Sequence, residues 1–349
     1  MSFQQLSKLN QLMAFDPRPV QDWFAATHVP FDELFATDTI ETRVRSTAAA
    51  GGRVAVIGRS GTGKTSLVEH ALNHEGLLPI WMHVAVEKPE LVAEPIGFGQ
   101  LLIAAIVDTA KRYLSGEDVD RSLAITGERI EREGTRRTRR GGAGIKSAWA
   151  NMDLAKEVTT AAPHISAPVT VAAVGRALRD LLVIVRENGS VPIVVIDDSD
   201  RFLRVVKKQP EAAPDLFAPF VTKVLPWLSE FDCAKVVAVH PTYIGRDEWV
   251  VAKREGLAGS EVEVPTLEVE EQLSAILERR LEAFDVQADL DDVFEDDTVT
   301  GLFDMYEQQD NPTIRKCLTV AHAAVVLAID QRAEQVAPLH VSSAQADLG

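Results

Sequence analysis

Apolar positions along this chain follow two rhythms. Short continuous β-branched runs read as buried parallel strands, and longer stretches with apolar residues three and four apart read as helices. Residues 53–57 (RVAVI) give the first strand, and 66–73 a helix that Gly76 can stop. Strands at 78–84, 192–196, 235–239 and 261–264 follow, the last just before Pro265. Between them lie helices at 98–114, 169–188 and near 215–231. Upstream, residues 28–35 form a Pro-broken apolar turn and 39–50 a helix. From Glu268 onward only helices are predicted, at 268–284, 298–308 and 313–335. Strand–helix alternation of this kind implies an α/β fold: a three-layer αβα core with a parallel five-stranded sheet, followed by a small all-helical domain. The expected divisions are an N-terminal segment (1–50), the core (51–266) and the helical domain (267–349).

The first strand runs into Gly58-Arg59-Ser60-Gly61-Thr62-Gly63-Lys64-Thr65, then Ser66. This is a complete Walker A loop in the strand–loop–helix context that the motif needs. Glycines let the backbone wrap phosphate oxygens, and the helix N-terminus aims N–H groups at them. The expected ligand is ATP with Mg²⁺, Lys64 neutralising the β- and γ-phosphates and Thr65 holding the metal. His70 and His74, four apart on the following helix, have no third ligand nearby and read as a solvent-facing pair.

The third strand ends Ile196-Asp197-Asp198-Ser199-Asp200-Arg201. An apolar strand delivering carboxylates at its C-terminal edge is the Walker B arrangement. Asp197 would act on the metal through water, and Asp198 would orient the attacking water. Asp200 and Arg201 read as a structural ion pair or as residues facing a neighbouring subunit.

Lys64 and Asp197 are 133 positions apart, far more than two βα units of ~30 residues need. The excess falls in an insertion at 115–168. There Arg129, Arg132, Arg136, Arg137, Arg139 and Arg140 face only Glu131 and Glu133, a local charge of +4. The whole chain carries −16, so any nucleic-acid contact must be local. Two readings of this arm stay open: a solvated loop, or a docking arm for a polyanion such as DNA or for a partner protein. Cys233 and Cys317 both lie in apolar patterns, which favours a reducing compartment and no disulfide. No membrane span or signal peptide is read, so the expected location is the cytoplasm.

GRSGTGKT, the strand ending IDDSD, the strand KVVAVHPTY with its polar end, and the helical stretch after EVEVPTLEVEEQLSAILERRL together resemble the AAA+ superfamily. The nearest types are origin-recognition initiators and the related STAND and KAP-like bacterial ATPases. The resemblance implies ATP hydrolysis, nucleotide at a subunit boundary, ATP-dependent self-association and a partner effector; many members carry glutamate where Asp198 stands, and the shorter aspartate predicts slow turnover. It places Pro30 and Phe31 on the adenine side. It makes His240 or Thr242 the sensor-1 residue, and Arg315 the sensor-2 arginine of a helical lid. Thr313 stands where relatives often carry that arginine. Arg246 or Arg254 would be the arginine finger toward a neighbouring subunit. A nucleotide-bound scaffold that does not hydrolyse is the alternative. A small-molecule P-loop kinase is disfavoured, because paired aspartates suit water attack better than a sugar acceptor.

Overall fold

The computed structural model describes residues 3–16, 26–35, 40–83, 89–114, 170–197, 216–286, 288–310 and 312–348. Asp198, Asp200, Arg201 and the whole insertion with Arg129–Arg140 lie outside the described residues. Helices α1 (Phe3–Leu12), α2 (Phe31–Phe35) and α3 (Ile40–Ala49) lead to strand β1 (Arg53–Ile57) and helix α4 (Lys64–Leu72). Next come β2 (Leu77–His83), a 3-10 turn (Pro89–Ala93), α5 (Pro95–Tyr113), α6 (Val171–Glu187) and β3 (Val191–Asp197). A helical segment follows as α7 (Phe217–Pro219), a π turn (Phe220–Val224) and α8 (Leu225–Ser229). Then come β4 (Ala234–Val239), a 3-10 turn (Pro241–Tyr243), α9 (Asp247–Arg254) and β5 (Ser260–Glu263). Helices α10 (Glu270–Ala283), α11 (Leu290–Val293), α12 (Thr298–Glu307), α13 (Ile314–Asp330) and α14 (Pro338–Leu348) complete the order.

All five predicted strands are present, in one parallel sheet of order β2-β3-β4-β1-β5. β2 pairs with β3 from Leu77↔Val191 to His83↔Asp197, and β3 with β4 from Ile193↔Ala234 to Ile196↔Val237. This register brings Asp197 to the end of β3 beside His83.

The chain divides into two compact units. One comprises residues 46–55 and 74–261. Its core gathers Ile80, Phe98, Leu178, Val194, Ile196 and Val224. Every residue of β4 is buried, as expected of a strand covered on both faces. Lys235 is the polar exception; its Nζ donates to the Phe231 carbonyl at 2.6 Å. Burial lowers its pKa, and also raises that of neighbouring Cys233. Cys233 and Cys317 are both free and buried, and burial pushes Cys317 up to about 12, so neither is a reactive thiolate.

The other unit comprises residues 1–45, 56–73 and 262–349. Leu6 and Leu9 of α1 share a core with Leu273 and Leu277 of α10, Leu302 of α12 and Val325 of α13. Arg280, 5% exposed, donates from Nη1 to the carbonyls of Ala14 (2.9 Å) and Asp16 (2.7 Å). Burial lowers its pKa to about 10, against the opposing charge of Asp16, so it stays charged at neutral pH.

Helices α1, α9, α11 and α14 and the Pro89–Ala93 turn go beyond the sequence expectation. Helix α1 is an addition, its apolar positions three apart meeting the core. The final predicted helix, 313–335, stops at Asp330, and a further helix that was not predicted follows it. α13 ends where Arg332 turns left-handed (φ 57°) and the Ala333 N–H reaches back to the Ala328 carbonyl at 2.8 Å. α14 then starts at Pro338, with His340 Nδ1 accepting the Ala337 N–H at 2.9 Å.

Candidate functional site

The chain leaves β1 at Ile57 and turns through Gly58–Gly63 before α4. Gly61 (φ 88°) and Gly63 (φ 99°) are left-handed, a conformation that costs other residues 1–2 kcal/mol or so. That turn leaves the first N–H groups of α4 directed out of the helix end, where an anion is favoured. Lys64 is almost buried and folds back over the loop. Its Nζ donates to the carbonyls of Gly58 and Arg59, both at 2.8 Å. Thr62 Oγ1 donates to the same Arg59 carbonyl at 3.0 Å. Arg59 is exposed, while Ser60, Thr65 and Ser66 are half-buried.

Arg315 is brought to this loop. Thr313 is the N-cap of α13, its Oγ1 accepting from the Lys316 N–H at 3.4 Å, so it stands outside the helix. Arg315 therefore falls in the first turn. Its N–H donates to the Gly61 carbonyl at 3.1 Å and its Nη1 to Ser60 Oγ at 3.0 Å. A Cβ on Gly61 would lie 2.6 Å from the Arg315 Cβ, so the glycine also admits this close approach.

The 28–31 segment reaches the same loop through a residue that sequence reading missed, Glu41. Glu41 Oε1 accepts the Phe31 N–H at 2.6 Å and lies 3.0 Å from His28 Nε2. His28 Nδ1 lies 3.1 Å from Ser66 Oγ. Burial raises the Glu41 pKa, but hydrogen bonds from His28 and the Phe31 N–H outweigh it and leave the group below its ordinary 4.5. Phe31 is buried, edge-on to His28 (centroids 5.4 Å) and beside Phe35 (5.6 Å). Pro30 is half-buried and caps α2, its carbonyl accepting from Glu33 and Leu34. His70 is not solvent-facing: its ring lies 4.7 Å from that of His28, on the inward side of α4. His74 is exposed. Among the described residues no three His, Cys, Asp or Glu cluster as a metal would require. No motif links Glu41 to position 28, so only the fold reveals this contact.

Four further residues of interest belong to the other unit. Asp197 is 4% exposed at the end of β3. His240 follows β4 and caps the next turn, its Nδ1 accepting from the Thr242 N–H (3.3 Å) and lying 2.9 Å from Thr242 Oγ1. Arg246 is engaged with Glu248 (Nε–Oε2 3.3 Å) and lies over the Phe217 ring at 5.3 Å. Arg254, in the last turn of α9, is exposed and makes no ion pair among the described residues.

No protein-family profile matches the chain, and no curated protein matches it either. Solved structures do. One is the Aeropyrum pernix ORC2 protein in ADPNP–ADP complexes, at 14% identity and TM-score 0.51, covering 88% of this chain and 66% of that one. Another is Cdc6p from Pyrobaculum aerophilum, at 14% identity and TM-score 0.51, covering 94% of this chain and 71% of that one. The chain thus spans about two thirds of the length of the first of these proteins. With a five-stranded parallel sheet, a glycine loop after β1 and a helical stretch after β5, this chain has the fold of the origin-recognition AAA+ ATPases.

Proposed function

We propose that this chain is an ATPase that binds ATP–Mg²⁺ on the Gly58–Ser66 loop and works as a slow nucleotide-dependent switch in the cytoplasm, on DNA or on a partner effector. The observation that carries this is the loop itself: two left-handed glycines open α4, a nearly buried Lys64 lies across the loop, and Arg315 docks on it from α13. Thr65 would hold Mg²⁺ through its hydroxyl and Asp197 would act on the ion through water, both offering the hard oxygen chemistry that Mg²⁺ takes. When bound, that ion supplies charge neutralisation for the phosphate oxygens. Lys64 neutralises the β- and γ-phosphates, exchanging two carbonyl acceptors for anionic ones. Arg315 reaches the loop from α13 and would register the γ-phosphate. Asp198 orients the water. His240 is the sensor-1 residue, with Thr242 beside it.

Phosphate release, measured with and without DNA, tests this reading; no release under either condition leaves the non-hydrolysing scaffold. Asp198→Asn is expected to keep ATP affinity and slow turnover at least tenfold, about 1.4 kcal/mol of barrier. Unaltered turnover would assign the water to another residue.

Self-association with ATP is expected to depend on Arg254 and not on Arg246. Arg246 is already committed to Glu248 and the Phe217 ring, whereas Arg254 is exposed. Light scattering of Asp198→Asn with ATP, with and without Arg254→Ala, reads this directly. A monomer at tens of micromolar in the Asp198→Asn protein argues against any trans finger.

Removing the +4 of the Arg129–Arg140 stretch leaves the rest of the chain near −20, so DNA affinity should come from these six arginines. Four to six phosphate contacts give a log–log salt slope of about −4 to −5 on duplex DNA. Replacing all six with serine should remove binding and leave the ATP site intact. An unchanged slope would exclude the arm.

A further inference from the structure

We propose that His28 and Glu41 are positioning residues for the nucleoside half of the ligand, latching the 28–31 segment to the helix that follows the phosphate loop. This rests on the ATP-binding reading above. An ionised carboxylate only accepts hydrogen bonds. Glu41 Oε1 takes the Phe31 N–H at 2.6 Å, so the proton between it and His28 belongs to the imidazole Nε2 at 3.0 Å. With Nε2 donating to Glu41, the Nδ1 of an uncharged ring is the acceptor that faces the Ser66 hydroxyl at 3.1 Å. The chain of donors runs one way, from Ser66 through His28 to Glu41.

Two consequences follow. With its hydroxyl engaged by His28 Nδ1, Ser66 offers a phosphate its backbone N–H in the first turn of α4. The 28–31 segment is also tied to that turn at two places, through the His28 side chain and the Phe31 N–H. The His28 ring is fixed in turn by His70 at 4.7 Å and by the edge of Phe31 at 5.4 Å. With the ring 6% exposed, solvent does not compete for these bonds. Ser66 lies two residues beyond Lys64, in the first turn of α4. A segment latched there borders the nucleoside and not the terminal phosphates.

The test compares affinities for ATP–Mg²⁺ and for Mg²⁺–tripolyphosphate, which has no nucleoside, using the full chain. His28→Ala and Glu41→Ala should each weaken ATP about tenfold or more, the scale of losing a hydrogen bond to a charged group. Tripolyphosphate affinity should stay within about twofold, because the loop glycines and Lys64 are untouched. Glu41→Gln keeps the accepting oxygen and should stay within about threefold of wild type for both ligands. Imidazole nitrogen shifts should show His28 as the Nε2–H tautomer in the wild type and lose that signature in Glu41→Ala. Thermal melts identify any variant that fails to fold, and the Gln variant then carries the comparison through the tautomer. Equal losses for both ligands would reduce the relay to support of the loop and overturn the proposal. So would unchanged ATP affinity, or an Nδ1–H or charged His28. Wild type that binds tripolyphosphate as tightly as ATP overturns this inference alone; wild type that binds neither overturns the ATP reading as well.

Discussion

Lys64→Ala abolishes ATP–Mg²⁺ binding, with a loss of at least a hundredfold by calorimetry, about 2.7 kcal/mol. Lys64 Nζ is held 2.8 Å from two loop carbonyls, on a side chain only 8% exposed. Those carbonyls are neutral acceptors. Phosphate oxygens are anionic, and hydrogen bonds to them are roughly twice as strong. The ammonium is therefore pre-aimed, and little side-chain entropy remains to be lost when phosphate arrives. Alanine removes the charge and also the two bonds that brace Gly58 and Arg59. Both losses act in the same direction. Affinity within threefold of wild type would show that this loop is not the nucleotide site.

Arg280→Ala lowers the stability of the unit that contains the loop by about 3 kcal/mol. The guanidinium satisfies the carbonyls of Ala14 and Asp16 just past α1. Burial has already disfavoured its charge, so the side chain is retained for these bonds and not for solvation. Truncation strands two acceptors and opens a cavity beneath α1. Denaturant melts read the loss, and protease should cut near residue 16 sooner than in the wild type. A change under about 0.5 kcal/mol, ordinary for a surface site, would place Arg280 outside the framework. Arg280→Lys should recover part of the effect, since an ammonium can reach one carbonyl more easily than both.

The sheet was legible because buried parallel strands write themselves as unbroken apolar runs. RVAVI, VPIVVID and AKVVAV admit no other reading next to helices of regular period. The phosphate loop was legible because its glycines answer to backbone geometry, which the letters record. The end of α13 was not, because its left-handed residue is Arg332 and not glycine, so the pattern seemed to run on to 335. Helix α1 was hidden for another reason. Its apolar face is narrow and is completed by α10 and α13, some hundreds of residues later. Glu41 was invisible in the same way: its partners at 28 and 31 are set by folding and not by spacing. Arg315 was legible only through the resemblance, because Thr313 stands where relatives often carry that arginine; with Thr313 as the N-cap, Arg315 falls in the first turn of α13 and meets Ser60.

The bonds from Arg280 to Ala14 and Asp16 join parts of the chain more than 260 positions apart. During synthesis at ~5–20 residues per second, α1 therefore waits on the order of half a minute for the helix that secures it. The unit of residues 46–55 and 74–261 has no such wait, since β2, β3 and β4 pair with one another and with the earlier β1. The phosphate loop shares its unit with the late-arriving helices. Nascent chains halted before α13 should thus hold a folded sheet and yet ignore ATP. Any nucleotide binding on this loop would therefore come later in synthesis than the folding of the sheet.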